Sequence, residues 1–181
     1  MKTEIAFDIS LQGYSVHRLL FEDIRAIQEL FEQCLDYMLL VDGHPAEPNG
    51  VEEDFLSVPP GKSQEDKFVF GIANQQKEIV GLLDTLCWYP NKTTWWIDLL
   101  LFVPESRSGG LGEKVLQGFV EYARLSGAHA IMLGVVEDNI RAYKFWNRMG
   151  FEFVRETEPR QFGNKVQTVK VMQRILKANS S

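Results

Sequence analysis

The chain has 181 residues, of which 45 % are hydrophobic and 24 % are charged. This length and composition are typical of a globular domain, and we expect residues 1–181 to form a single domain. The formal net charge of −6 argues against a nucleic-acid-binding protein, which needs a basic face. It favours a cationic partner such as an amine, unless it serves solubility alone. No apolar run approaches the roughly 20 residues of a membrane span, so no membrane partner is expected.

The N-terminus and the cysteines indicate a cellular compartment. The first ten residues have no long apolar segment and no small-residue cleavage site, so they do not resemble a signal peptide. Cys34 and Cys87 have no further cysteine or histidine at ligand spacing, so we expect no metal site. The sequence therefore predicts a cytoplasmic protein whose two thiols are reduced and mostly buried.

The first half of the chain predicts three strands and two helices. Alternating residues predict strands, apolar residues at helical spacing predict helices, and clustered glycine and proline predict turns. Two of the strands are separated by a short polar run and are expected to form a hairpin. The predicted elements are a strand at 14–20, a helix at 22–38, turns at 42–50, a short helix at 51–58 and strands at 67–73 and 78–88.

The second half predicts four strands and two helices. A strand rich in aromatic and branched residues leads through a glycine-rich turn into an amphipathic helix. The predicted elements are a strand at 93–103, a turn at 107–112, a helix at 111–125, a strand at 130–136, a helix at 139–149 and strands at 151–156 and 166–176. The order β-α-α-β-β-β-α-β-α-β-β predicts a mixed sheet with helices packed on it.

The glycine-rich turn at 107–112 is the first candidate binding site. Glycines allow a ligand to approach the backbone closely, and the start of a helix contributes about half a positive charge. The turn is therefore predicted to bind an anion such as a diphosphate, and Arg107 can add a full charge. A tight turn that binds nothing is the alternative.

Two other phosphate-binding motifs do not fit this turn. The dinucleotide motif G-x-G-x-x-G follows the first strand of a β-α-β unit, whereas here Gly110-Leu111-Gly112 is followed by Val115. The Walker phosphate loop is absent because no Gly-Lys-Ser/Thr sequence follows the glycines.

A second motif opens the helix at 139–149. Asn139, Ala142, Tyr143 and Trp146 fall on one face of that helix because residues three and four apart are neighbours. There are two alternative interpretations: Asn139 only caps the helix, and Tyr143 and Trp146 belong to the core. The combination of this face with the anion-binding turn favours a binding site.

Together these motifs resemble the GNAT superfamily of N-acetyltransferases. The resemblance is strong over residues 99–151 and extends weakly, through the element order, to most of the chain. The R-x-x-G-x-G pattern is matched by Arg107, Gly110 and Gly112, the N-x-x-A pattern by Asn139 and Ala142, and the G-F signature by Gly150 and Phe151.

The resemblance implies an α/β fold, classed as α+β by some schemes. Its central sheet would be mixed and mostly antiparallel, with a splayed parallel strand pair and flanking helices. It also implies an enzyme that uses acetyl-CoA as co-substrate and transfers the acetyl group to a primary amine by direct attack in a ternary complex. By analogy, a homodimer is one expected assembly.

The resemblance places acetyl-CoA in a V-shaped gap between the strands at 95–103 and 130–136. The pantetheine would pair with the first of these strands like an added strand, and the diphosphate would bind the amides of 107–112. A backbone N–H near Leu101 would stabilise the oxyanion, and Asn139 would bind the pantetheine arm. The residues implied in cofactor binding are Leu101, Phe102, Val103, Arg107, Ser108, Gly109, Gly110, Leu111, Gly112, Asn139, Ala142, Tyr143 and Trp146.

The sequence departs from the family pattern at Trp146, where many members have a tyrosine that protonates the leaving thiolate. An indole N–H has no useful acidity, so Tyr143, one helical turn earlier, becomes the candidate acid. Departure of the thiolate without an acid, and its protonation by water, are alternatives.

Asp98 is the candidate base, although the family more often has its carboxylate at the position of Ile97. A β-bulge would be needed to turn Asp98 to the same face.

The acceptor pocket is expected from residues 37–54, residues 88–95 and the loop between the last two strands. Acidic residues cluster there with Tyr37 and His44, which suits a small ammonium compound, although a solvated acidic surface is the alternative. A small-molecule amine acetyltransferase is the favoured function. Two other functions are alternative interpretations of the sequence. One is a protein N-terminal or lysine acetyltransferase, which requires an open acceptor end, and the other is a non-catalytic acyl-CoA-binding domain.

Overall fold

The computed structural model of the protein describes residue 7 and residues 11–176. The N-terminal segment, which the sequence predicts not to be a signal peptide, lies outside the described residues apart from Phe7. No helix in the described part is long and apolar enough to cross a membrane. The described elements are β1 (Ser15–Leu19), α1 (Ile24–Gln33), α2 (Leu35–Val41), α3 (Gly50–Leu56), β2 (Lys67–Ala73), β3 (Ile79–Leu86), β4 (Thr94–Phe102), α4 (Leu111–Leu125), β5 (Ala130–Val136), α5 (Ile140–Arg148), β6 (Glu152–Glu156), β7 (Arg160–Phe162), β8 (Lys165–Gln167) and β9 (Val169–Ile175).

A seven-stranded mixed sheet forms the centre of the fold. Its strand order is β1-β2-β3-β4-β5-β9-β6, and β7 and β8 form a separate two-stranded sheet. Within the seven-stranded sheet, β4 and β5 pair in parallel and the other neighbours are antiparallel. The mixed, mostly antiparallel α/β architecture predicted from the sequence is therefore confirmed.

The helix predicted at 22–38 is broken at Cys34, so the prediction of one continuous helix is wrong. Cys34 has φ −99° and ψ 40° and separates α1 from α2. Its side chain is buried, and its Sγ donates to the carbonyl oxygen of Phe102 at 3.5 Å. The break follows from this tertiary contact and not from a local breaker, because the apolar spacing continues through it.

The last predicted strand, at 166–176, is also wrong in its extent. Residue 168 interrupts it, and the part before the interruption pairs with β7 as a short hairpin that the sequence analysis missed. Each hairpin strand has only three residues, too few for alternation to show. The hairpin is held by its contacts with α2, where the Gln167 side chain donates to the carbonyl oxygens of Leu40 and Val41 at 3.2 and 2.8 Å.

The parallel pair separates after four residues. Thr94 to Ile97 of β4 pair with residues 130–133 of β5, but β4 continues to Phe102 without that partner. On its other edge, β4 has a bulge: Leu99 lies opposite Asp84 and Ile97 opposite Thr85, so the intervening Asp98 has no partner. The splayed pair and the bulge that the sequence analysis required for Asp98 both occur.

An aromatic cluster packs α4 onto one face of the sheet. The rings of Trp95 and Phe119 have centroids 5.8 Å apart, and Phe7 contacts Phe70 and Phe119 at 5.1 and 5.8 Å. Trp96 points to the opposite face, as strand alternation requires, and meets Tyr89 edge to face. The opposite face is therefore left to form a cleft.

Two glycines pack against opposite sides of the Phe102 ring. A Cβ on Gly81 would lie 2.4 Å from Cδ1 of Phe102, and one on Gly112 would lie 3.3 Å from its Cε2. The buried ring therefore fits only because neither neighbour has a side chain. This packing brings the start of α4 against the end of β4.

We expect Gly81→Ala to lower the free energy of unfolding by about 1–3 kcal/mol, because the added methyl overlaps a buried ring in a packed core. Gly109→Ala is the matched control, since its Cβ would meet nothing within 4 Å. Urea unfolding followed by tryptophan fluorescence measures both variants. Equal midpoints for Gly81→Ala and the wild type would contradict the packing described here.

Candidate active site

The glycine turn presents open backbone at the start of α4. Ser108 and Gly110 have positive φ angles of 70° and 80°, which turn the chain sharply before the helix begins at Leu111. No side chain among the described residues caps this helix. The first amides of α4 therefore have no intrahelical partner and are available to an anion.

Space around the turn is open where a ligand would approach. A Cβ on Gly109 or Gly110 would meet nothing within 4 Å, whereas Gly112 is packed against Phe102. The amide of Arg107 donates to the carbonyl oxygen of Pro104 at 3.2 Å. The available amides therefore begin after Arg107, one residue later than the sequence analysis expected.

The Arg107 side chain braces three parts of the fold. Its Nε donates to the carbonyl oxygen of Phe102 at 2.7 Å, and its two terminal nitrogens bind both carboxylate oxygens of Asp36 on α2. The ion pair lowers the pKa of Asp36 and raises the pKa of Arg107. The guanidinium that the sequence analysis assigned to a phosphate is thus held by a carboxylate, although Arg107 still lines the cleft described next.

A cleft of about 1060 Å³, here called the glycine-turn cleft, opens between β4 and α5 in front of this turn. Four predicted cofactor residues, Val103, Gly109, Leu111 and Tyr143, are not in its lining, and Val103 and Leu111 are buried. The predicted residues that line it are Leu101, Phe102, Arg107, Ser108, Gly110, Gly112, Asn139, Ala142 and Trp146.

Helix α5 gives the glycine-turn cleft a basic wall that the sequence analysis missed. Arg141, Lys144 and Arg148 line the cleft and are exposed. Their spacing of three and four residues places them on one helix face, which was the available sequence signal. Arg141 also donates to Oγ of Ser108 at 3.2 Å, so it lies beside the glycine turn. An anion in this cleft would be flanked by cationic side chains as well as by amides.

Asn139 both caps α5 and lines the glycine-turn cleft. Its Oδ1 accepts a hydrogen bond from the amide of Ala142 at 3.0 Å, which leaves its NH₂ group to donate. Trp146 is buried and packs edge to face against Phe145 and Phe151. Asn139 is therefore a helix cap and Trp146 is part of the core, and both residues also line the glycine-turn cleft.

Tyr143 lies away from both clefts. Its ring lies beneath the ammonium group of Lys170, whose Nζ is 5.1 Å from the ring centroid. The residue is partly buried against the core and belongs to the lining of neither cleft. The structure therefore does not bring Tyr143 to the place where the sequence analysis needs a proton donor.

A second cleft of similar volume, about 1060 Å³, lies on the Trp96 face of the sheet and is here called the acidic cleft. Six strands of the seven-stranded sheet contribute to its floor, and its walls come from α1, α2, α3 and the β7–β8 hairpin. Because of the bulge, Asp98 lies in this cleft together with Asp84. The acidic residues that line it are Asp42, Glu47, Glu53, Asp54, Asp84 and Asp98.

A buried ion pair lies on the floor of the acidic cleft. Lys67 Nζ is 3.2 Å from Oδ2 of Asp84 and also donates to the carbonyl oxygens of Asp54 and Ser57 at 2.6 and 3.1 Å. Oδ1 of Asp84 has no hydrogen-bond partner in the described part of the chain. Burial raises the pKa of Asp84 to about 7 against the opposing effect of Lys67, and burial also raises the pKa of Asp98. The Asp84 carboxyl group therefore suits proton transfer near neutral pH, and the pKa of Asp98 is shifted in the same direction.

The two clefts meet at Tyr37. Among the described residues it alone lines both clefts, and β4 passes from one to the other between Leu99 and Leu100. Burial and the nearby carboxylates raise the pKa of Tyr37, so it remains protonated. The arrangement places a cleft lined by open backbone and cationic side chains end to end with a cleft lined by carboxylates.

These features define an acyltransferase fold with a donor cleft at a splayed strand pair. A model of the acetyltransferase (GNAT) family matches residues 24–151, which is more than half of the chain. The protein belongs to the GNAT acetyltransferase family, as the sequence motifs indicated. No curated protein sequence gives a significant match.

Solved structures show the same fold. An acetyltransferase from Thermus thermophilus superposes with a TM-score of 0.75 at 23 % identity, covering 93 % of this chain and 100 % of that chain. A spermidine N-acetyltransferase from Vibrio cholerae, solved in complex with CoA and spermine, has a TM-score of 0.71 at 18 % identity, covering 92 % and 97 %. At such identities the likeness concerns the fold alone.

We expect Gly109→Glu to weaken CoA binding about tenfold, because a carboxylate beside the glycine turn repels a diphosphate. Gly109 is preferred to Gly110, whose φ of 80° would strain any side chain. Gly109→Gln, with the same shape and no charge, should bind within about twofold of the wild type. Calorimetric titration with CoA at two salt concentrations measures this, and the difference should shrink at high salt. Equal affinities for the two variants would place the diphosphate elsewhere.

Proposed function

We propose that the protein is an acetyl-CoA-dependent N-acetyltransferase that transfers the acetyl group to the primary amine of a small molecule, by direct attack in a ternary complex. The observation that carries this proposal is the meeting of the two clefts at Tyr37, where β4 and β5 have separated. One cleft is suited to a phosphate-bearing donor and the other to an ammonium compound.

The glycine-turn cleft fits the donor in shape and charge. The amides after Arg107 and the cations Arg141, Lys144 and Arg148 would hold phosphate groups, and Asn139 has an NH₂ group to donate. The edge of β4 beyond Ile97 has no strand partner on the β5 side and can pair with an extended amide-bearing arm. The bound donor would supply a thioester, an acyl group activated towards an amine.

The acidic cleft favours a small acceptor over a protein chain. The β7–β8 hairpin forms one wall, and the amide of Asn164 and the Nζ of Lys165 donate to the carbonyl oxygens of Asp42 and Leu40 at 2.6 and 2.9 Å. These bonds tie the hairpin to the end of α2 beside the cleft. A peptide substrate requires an open acceptor end, which such a closed wall does not offer.

Asp98 and Asp84 can accept the proton that the acceptor amine must lose. An amine arrives mostly as an ammonium ion and must lose a proton before its nitrogen can attack the thioester carbon. Asp98 lies at the bulge beside the junction of the clefts, so we assign it as the base, with Asp84 behind it on the neighbouring strand. A backbone N–H near Leu101 would stabilise the oxyanion.

We expect purified protein to release free CoA thiol from acetyl-CoA when it is given small primary amines, read with a thiol reagent. Asp98→Asn should lower kcat/KM at neutral pH at least about tenfold, because the general base is lost. Glu65→Gln, an exposed acid outside both clefts, is the control and should retain activity. Binding of acetyl-CoA without turnover of any amine would instead favour a non-catalytic acyl-CoA-binding domain.

A further inference from the structure

We infer that the acceptor carries an anionic group as well as its amine: it is a zwitterionic amine of the amino-acid type. This inference rests on the proposed function and names the substrate class of the acceptor site. Its basis is the wall of the acidic cleft opposite Asp98, where Arg155 and Arg160 line the cavity.

Arg155 reaches the cleft because of a second bulge. β6 pairs Phe153 with Met172 and Arg155 with Val171, so Val154 is the extra residue. The Val171 side chain lines the acidic cleft. The bulge places Arg155 on that same face of the sheet. In a regular strand, Val154 would lie opposite Val171 and would occupy that face instead.

Arg160 reaches the cleft from the hairpin. It pairs with Gln167, which is 2 % exposed and bonded to the end of α2. The wall that carries Arg160 is therefore fixed in place. Neither Arg155 nor Arg160 forms a salt bridge or a side-chain hydrogen bond with any of the described residues, so both guanidinium groups are available to a ligand.

Asp98 and Arg155 lie on different strands of the cleft floor, and of the cationic side chains in the cleft Lys67 is already paired with Asp84. β5 and β9 separate β4, which carries Asp98, from β6, which carries Arg155. Three regular strand spacings amount to about 14 Å, and because β4 and β5 have separated after Ile97, the backbones of β4 and β6 are at least that far apart at Asp98. Side chains extend inward from both ends, which leaves a gap suited to a short molecule with an amine at one end and a carboxylate at the other. A linear polyamine would place a second ammonium group against two arginines, which is unfavourable.

The test compares amino acids with their carboxyl-blocked counterparts. A panel of free amino acids and the corresponding amides is assayed by thiol release, and we expect kcat/KM at least about tenfold higher for the free acids. Arg155→Gln and Arg160→Gln should raise KM for the acids at least about tenfold and change KM for the amides less than about twofold. Arg25→Gln, on an exposed face of α1, is the control.

Direct binding separates this inference from the proposed function. Ligand-observed NMR with the amino acid and CoA reads the anion subsite without turnover, and binding that is lost in the arginine variants supports the inference even if no acetyl transfer occurs. Acetyl transfer to amides and polyamines as efficient as to free acids, with no effect of either arginine, would overturn the inference and leave the proposed function standing.

A second inference comes from Tyr37: we propose that its hydroxyl donates a hydrogen bond to the sulfur as the thiolate leaves. Tyr37 lines both clefts, and its hydroxyl makes no hydrogen bond within the described structure. As the amine nitrogen bonds to the acyl carbon, the C–S bond breaks and its electron pair stays on sulfur. Asp98 has taken one proton from the ammonium group before the attack, and the proton that the nitrogen loses after the attack passes through water to the thiolate. The raised pKa of Tyr37 keeps its hydroxyl protonated as a donor.

Tyr37→Phe should lower kcat at least about tenfold and leave the affinity for CoA unchanged, because only the developing charge on sulfur loses a partner. Tyr14→Phe, outside both clefts, is the control. Tyr143→Phe is made in parallel, because the sequence analysis assigned the proton donor there. A loss confined to Tyr143→Phe, with Tyr37→Phe fully active, would overturn this inference.

Discussion

The separation of β4 from β5 is the feature on which the rest of the site depends. Two parallel strands that stay paired leave no unpartnered backbone between them, but here the pairing ends at Ile97 while β4 continues to Phe102. The gap exposes one edge of β4 inside the protein, where an extended ligand can pair with it. The Asp98 bulge lies at the same point on the other edge of β4. The separation therefore opens the glycine-turn cleft, and the bulge at the same point turns a carboxylate into the acidic cleft.

Contacts around Phe102 keep this gap open without a ligand. Its ring is packed between Gly81 and Gly112, and its carbonyl oxygen accepts from Cys34 and Arg107. The end of β4, the start of α4 and the break between α1 and α2 are thus joined at one residue. A carbonyl with two donors does not need the next strand as a partner, so the end of β4 is satisfied at Phe102 without β5.

The sequence predicted most elements and the glycine turn well because both depend on local signals. Periodicity located the strands and helices, and glycines before an amphipathic helix located the turn, whose anion site stays a prediction. Signals from distant residues were not available: Arg107 is held by Asp36, 71 positions away, and the break at Cys34 follows a contact with Phe102. The β7–β8 hairpin was missed because three-residue strands show no alternation, although the loop that contains it was expected to contribute to the acceptor pocket. Tyr143 shares a predicted helix face with Trp146, but only the fold shows that it packs under Lys170.

The distribution of charge is compatible with the two anionic ligands proposed for this acidic protein. The net charge of −6 produces a field that attracts ammonium groups from a distance. Anionic groups must then be held by local cations and amides, and these are concentrated in two places: the basic face of α5 with the glycine turn, and the Arg155–Arg160 wall. In the proposed reaction, long-range attraction would favour an amine, while short-range contacts would hold the anionic ends of donor and acceptor. The reactive amine would then lie near Asp98, beside the junction of the two clefts.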